Sequence, residues 1–123
     1  PLSSMSPVIV VADGKIDAVL GSPGGPTILT SVLQVMLARY VYGMAPEASV
    51  GAPRFHRQDR PPHVQYEPQR LGSGLRQQLM SLGQPIRQRR NLGDVNAIFR
   101  TAQGWKAVAD PRYHGSAGEV LVR

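Results

Sequence analysis

Hydrophobic and polar positions change period twice along this chain. Residues 8–11 form a β-branched run, residues 16–20 resume the apolar character, and Asp13-Gly14 stands between them. Gly14 can take the positive φ a tight turn needs, so the two runs predict a β-hairpin. Gly21-Ser22-Pro23-Gly24-Gly25-Pro26 follows, a loop with no side chain beyond Ser and Pro. Then Ile28/Leu29, Val32/Leu33, Met36/Leu37 and Tyr40/Val41 recur at fourfold spacing, the stripe of a helix with a buried face. Pro26 suits the first helical turn, where its missing N–H costs nothing, and Gly43 is the natural stop.

Further along, residues 46–50 read as one helical turn and residues 54–62 as a polar loop ending in proline. Residues 63–66 read as a short strand. Leu71, Leu75, Leu79 and Leu82, with Met80 beside them, predict a second helix over residues 73–82, stopped by Gly83. Residues 95–100 and 105–109 predict a second hairpin across Ala102-Gln103-Gly104. The tail, residues 110–123, reads as loop with a last apolar Val120-Leu121-Val122. No internal repeat is visible. Strands, a long helix and strands again make an α+β chain.

Length and composition narrow the class. A chain of 123 residues with 41% hydrophobic positions can bury one ordinary core, so residues 1–123 read as a single domain. There is no cysteine, which excludes a disulfide scaffold, a thiol nucleophile and a thiolate metal site. The longest apolar run, residues 28–44, is broken by Thr30, Ser31, Gln34 and Arg39, so no membrane span is expected. No signal-peptide pattern opens the chain, and its start at Pro1 reads as a processed or excised piece of something longer.

Charge adds a partner question. Fourteen basic against eight acidic residues give +6, and Lys15 and Lys106 are the only lysines. The arginines run from Arg39 to Arg123, with one tight cluster at Arg87, Arg89 and Arg90. Two Phe, four Tyr and one Trp are too dispersed to interleave with them as base-stacking platforms. The basic residues therefore read as a solvated surface, with no nucleic-acid partner expected.

Two segments carry candidate chemistry. Residues 21–27 bring a backbone bare of side chains straight into a helix N-terminus, which presents free N–H groups together with the positive end of the helix dipole. That arrangement binds anions or stabilises an oxyanion. It is no P-loop, because Pro26-Thr27 stands where Lys-Ser/Thr is required. The plain alternative is a tight strand-to-helix turn. Pro1-Leu2-Ser3-Ser4-Met5-Ser6-Pro7 offers three hydroxyls able to donate to a carboxylate, although such runs also simply turn the chain. His56, His63 and His114 show no metal-ligand spacing, so no metal site is expected and no cofactor is implied. No Gly-x-Ser-x-Gly elbow supports a free-standing serine hydrolase.

The Ser3-Ser4 run, the strand and Asp13-Gly14-Lys15 after it, and Gly21-Ser22-Pro23-Gly24-Gly25 closely resemble the small subunit of γ-glutamyltranspeptidase (glutathione hydrolase). The resemblance continues through Val32-Leu33-Gln34, Gly43-Met44, Ala52-Pro53-Arg54-Phe55-His56 and Asp110-Pro111-Arg112, covering nearly the whole chain in order. It implies part of an N-terminal nucleophile hydrolase αββα sandwich, from a precursor that cuts itself into large and small subunits. It implies cleavage of γ-glutamyl amides such as glutathione through a threonine acyl-enzyme, passed to water or to an amino acid or peptide. Carried over by position, Ser3 and Ser4 would hold the α-carboxylate of the γ-glutamyl group. Gly24 and Gly25 would supply the oxyanion-hole N–H groups. Arg54, His56 and Arg112 match family motifs and are given structural roles. A periplasmic or secreted location is implied by the resemblance alone.

The chain departs from the family pattern at Pro26, where a polar residue is expected. The nucleophilic threonine is not among its residues either, since Thr27, Thr30 and Thr101 are internal and lack a free α-amine. The resemblance thus makes the chain the C-terminal part of the small subunit, inactive alone. Its partners would be the large subunit and the remainder of the small one, with self-association of the fragment expected. Two alternatives stand beside this reading: a cephalosporin acylase on the same scaffold, and a stand-alone basic module binding nucleic acid or another anion.

Overall fold

The computed structural model describes residues 5–121. Val8–Ala12 (β1) and Lys15–Gly21 (β2) form the first hairpin. Asp13 (φ 50°) and Gly14 (φ 71°) are both left-handed, the turn conformation that follows the twist of the strands it joins. Asn96–Thr101 (β6) and Gly104–Val108 (β7) make the second predicted hairpin. The two hairpins join edge to edge, and Glu119–Leu121 (β8) pairs with β7, giving a five-stranded sheet in the order β1-β2-β6-β7-β8. β8 lies where the sequence predicts loop. Its apolar triplet is too short to show a period, and its strand character comes from pairing with β7.

Gly25–Thr27 is a single 3₁₀ turn with Pro26 at its start, and it leads into the helix Ile28–Met36 (α1). A π turn over Leu37–Val41 extends α1, and Gly43, at φ 66°, lies two residues past that turn. α1 packs on one face of the large sheet. Ile28, Val32 and Val35 meet Ala18, Leu20, Ala97, Phe99 and Val108 there, with Val50 of the short helix Pro46–Gly51 (α2) and Val95 closing the core. The expected stripe is only half buried. Leu29 (58% exposed) and Leu33 (53%) stand off the sheet, because neighbouring residues on a helix are about 100° apart and one flat layer covers one of each pair along α1; past α1, Tyr40 and Val41 are both exposed.

The opposite face of the large sheet is apolar and open. Alternation sends Val19 and Ile98 away from α1, and register aligns Ile9, Val19, Ile98 and Ala107 in one row across four strands. Ile9, Val19 and Ile98 are exposed.

A second, three-stranded sheet lies beyond α2. Phe55–His56 (β3) runs antiparallel to Val64–Tyr66 (β4), and Ile86–Gln88 (β5) runs parallel to β4. Ser73–Ser81 (α3) makes the crossover from β4 to β5. Residues 54–62 are therefore not wholly loop, and β5 has no counterpart in the sequence reading, since strands of two or three residues carry no readable period. α3 matches its expected helix within a residue, yet none of its residues is buried. No helix among the described residues is long and apolar enough to cross a membrane.

Candidate functional site: a glycine turn braced by buried ion pairs

The turn between β2 and α1 is built from two glycines with unlike surroundings. Gly24 has φ 136° and Gly25 φ 59°, so both occupy backbone that side chains disfavour. The N–H and Oγ1 of Thr27 both donate to the Gly24 carbonyl, at 3.3 and 3.0 Å. A Cβ on Gly24 would lie 2.7 Å from Thr27 Oγ1, so no side chain fits without movement. A Cβ on Gly25 would meet nothing within 4 Å. Among the described residues, the N–H groups of Gly24 and Gly25 have no acceptor. Ser3 and Ser4 lie outside the described residues.

A second loop, residues 91–95, presses on this turn. The Asp94 N–H donates to Ser22 Oγ (2.9 Å), and that hydroxyl donates to the Pro23 carbonyl (2.7 Å). Ser31 Oγ reaches the Leu92 carbonyl at 3.4 Å. Gly93, at φ 72°, sits so close to the turn that a Cβ there would be 2.5 Å from Ser31 Oγ and 2.9 Å from Ser22 Oγ.

Four buried charges hold that loop from the other side. Arg54 Nη1 pairs with Asp110 Oδ2 at 2.7 Å, and Arg112 meets Glu67 in a bidentate pair with both contacts at 2.5 Å. All four side chains are essentially inaccessible. Three of their further hydrogen bonds go to the backbone of that loop. Arg54 donates to the Leu92 carbonyl (2.9 Å), Leu92 N–H donates to Glu67 Oε1 (2.9 Å), and Val95 N–H donates to Asp110 Oδ2 (2.8 Å). Two cations against two anions leave the cluster neutral, the condition under which buried charge is tolerated.

Titration follows from that packing. Burial and the neighbouring Arg112 charge hold the Arg54 guanidinium below its ordinary value. Burial works against the charge on Arg112 too, but the Glu67 carboxylate outweighs it and raises that guanidinium. For Asp110, burial pushes upward. The Arg54 charge and the Val95 and Arg112 N–H groups overcome it and leave the carboxyl below the usual range.

Arg54 and Arg112 thus serve the structural roles expected of them. His56 is buried as well, between Thr30 Oγ1 (2.9 Å) and Gln58 Oε1 (3.0 Å). Glu67 was not legible in the sequence, because nothing local pairs it with a residue 45 positions away. Arg87, Arg89 and Arg90 are exposed and make no ion pair among the described residues. No group of three or more His, Asp or Glu that could hold a metal ion is present among the described residues.

The helix-backed sheet is part of the N-terminal nucleophile hydrolase sandwich implied by the resemblance, and solved γ-glutamyltranspeptidase structures superpose closely on the chain. A γ-glutamyltranspeptidase from Pseudomonas nitroreducens matches 98% of this chain and 64% of its own, at 35% identity and TM-score 0.90. The Helicobacter pylori γ-glutamyltranspeptidase T380A mutant matches 92% and 63%, at 39% identity and TM-score 0.85. The γ-glutamyltranspeptidase family profile covers residues 1–120, and the chain belongs to that family. A glutathione hydrolase proenzyme of Pseudomonas sp. (strain A14) is 39% identical over 118 residues, 94% of this chain and 20% of the relative. The chain spans about a fifth of the length of such curated relatives, which are enzymes. These matches favour neither the acylase nor the stand-alone basic module.

Proposed function

We propose that the chain is the C-terminal part of the small subunit of a γ-glutamyltransferase/glutathione hydrolase, acting with the remainder of that subunit and a large subunit. The nucleophile is the hydroxyl of a threonine contributed from outside these 123 residues, with its free α-amine as base. It attacks the γ-carbonyl of a γ-glutamyl amide such as glutathione, and the acyl-enzyme passes to water or to an amino acid or peptide. The N–H groups of Gly24 and Gly25 receive the negative charge that develops on the carbonyl oxygen, and Ser3 and Ser4 hold the α-carboxylate. The enzyme works in the periplasm or is secreted.

One observation carries this reading: two consecutive positive-φ glycines at the mouth of α1, with N–H groups unclaimed among the described residues and free space beside Gly25. Preorganised backbone donors at such a junction stabilise an oxyanion in the transition state more than the ground state. In the intact enzyme, Gly25→Ala should lower kcat for release of the amine from a γ-glutamyl anilide, with KM nearly unchanged. The substitution keeps the N–H and re-aims it, so the loss in rate reaches at most the order of 10²–10³ that removing one donor costs. Unchanged kcat overturns the assignment. The 123-residue polypeptide alone should release no amine above the enzyme-free rate.

A further inference from the structure

We propose that Ser22 and Gly93 are positioning residues that lock the loop of residues 91–95 against the Gly24–Gly25 turn, so that the buried ion pairs set the aim of the two N–H groups. The inference rests on the oxyanion reading above.

A turn made of two glycines has little stiffness of its own, since glycine explores more backbone conformations than any other residue. Catalytic donors must nevertheless be fixed before the reaction, so the stiffness has to come from neighbours. The loop of residues 91–95 is the neighbour suited to supply it. Its Leu92 N–H, Leu92 carbonyl and Val95 N–H are each held by a fully buried charged side chain, in turn Glu67, Arg54 and Asp110. Between these anchors, Gly93 and Asp94 face the turn. The Asp94 N–H donates to Ser22 Oγ, which is tied to the carbonyl immediately before Gly24.

A single oxygen therefore joins the rigid loop to the flexible turn. Contact reinforces it: a Cβ built on Gly24 would lie 3.7 Å from Gly93 Cα, and one built on Gly93 would collide with both Ser22 and Ser31. Ser22 touches none of the reacting atoms in this scheme. It acts through the backbone of residues 23–25.

The test uses the intact enzyme and a γ-glutamyl anilide, comparing Ser22→Ala, Gly25→Ala and the double variant. Ser22→Ala should lower kcat about 3- to 10-fold, the size expected from one hydrogen bond, with KM changed less than about 2-fold. The double variant should lose little more than Gly25→Ala, because both changes disturb the same donors. Ser22→Thr, which keeps the oxygen, should retain most of the kcat. Hydrogen exchange at the amides of Asp94 and Thr27, which are bonded to Ser22 Oγ and to the Gly24 carbonyl, should quicken together in Ser22→Ala, a readout independent of turnover if that variant is processed poorly. If Gly25→Ala lowers kcat while Ser22→Ala leaves both kcat and exchange unchanged, or if the two losses multiply, the positioning role is wrong and the oxyanion reading stands. If Gly25→Ala leaves kcat untouched, both fall together.

Discussion

Gly24 and Gly25 are adjacent and chemically identical, yet substitution should separate them. Alanine at Gly25 incurs the left-handed backbone cost of roughly 1–2 kcal/mol and no collision. Alanine at Gly24 must also displace Thr27 Oγ1 from the hydrogen bond that closes the turn. Gly24→Ala should therefore depress the yield of folded enzyme as well as kcat, whereas Gly25→Ala should spare the yield; equal soluble yields would contradict the distinction. The buried ion pairs make a second test. Asp110→Asn strands Arg54 in a site with almost no exposed surface, and breaking one side of such a pair costs about 3–5 kcal/mol, readable as a lower denaturation midpoint. The pH sign follows from the lowered folded-state value of Asp110. Its stabilisation is present above about pH 4, the unfolded carboxyl value, and is lost as pH falls through the lower folded value. Acidification should cost wild type more stability than Asp110→Asn, and parallel pH profiles would show that Asp110 is not the group responsible. Ser4→Ala, outside the described residues, should weaken donors that carry an α-carboxylate by roughly 1.5–3 kcal/mol and spare a donor without one.

Among the elements, burial separates two helices of equal length. α1 and α3 each have nine residues, but α1 buries Ile28, Ser31, Val32 and Val35 and α3 buries none. Short isolated helices are marginal in water, and α3 has no side-chain cap at its start, so it depends on the backbone bonds that close its far end, from Gly83 N–H to the Met80 carbonyl and from Gln84 N–H to the Leu79 carbonyl. Amides of α3 should exchange well before those of α1, by local opening. Equal protection would mean that another part of the enzyme covers α3. The same contrast explains why the leucine spacing in residues 71–82 predicts the helix without saying what covers it: periodicity reports a face, and whether anything lies against that face is settled elsewhere.

At the scale of the whole molecule, the large sheet has one face covered by α1 and one face bare. Ile9, Val11, Val19, Ile98 and Val120 are exposed, and Leu29 and Leu33 add an apolar flank on the helix side. Contiguous apolar surface of this kind marks a place where another layer docks, in keeping with the αββα sandwich of the family. The isolated polypeptide should consequently associate with concentration in light scattering and bind an apolar-surface dye. A monomer that binds no dye at high concentration would contradict this. What was legible beforehand was local: the hairpin at Asp13-Gly14, the bare glycine turn, the long helix and its stop at Gly43 all depend on residues within a few positions of one another. Backbone conformation and side-chain period are short-range properties, so the sequence displays them. Tertiary structure alone decided that β3, β5 and β8 are strands, that Glu67 and Asp110 neutralise Arg112 and Arg54, and that only half of the apolar stripe of α1 is buried. Each of those depends on partners brought together from distant positions, and a hydrogen bond or charge pair across 45 residues leaves no mark in either neighbourhood.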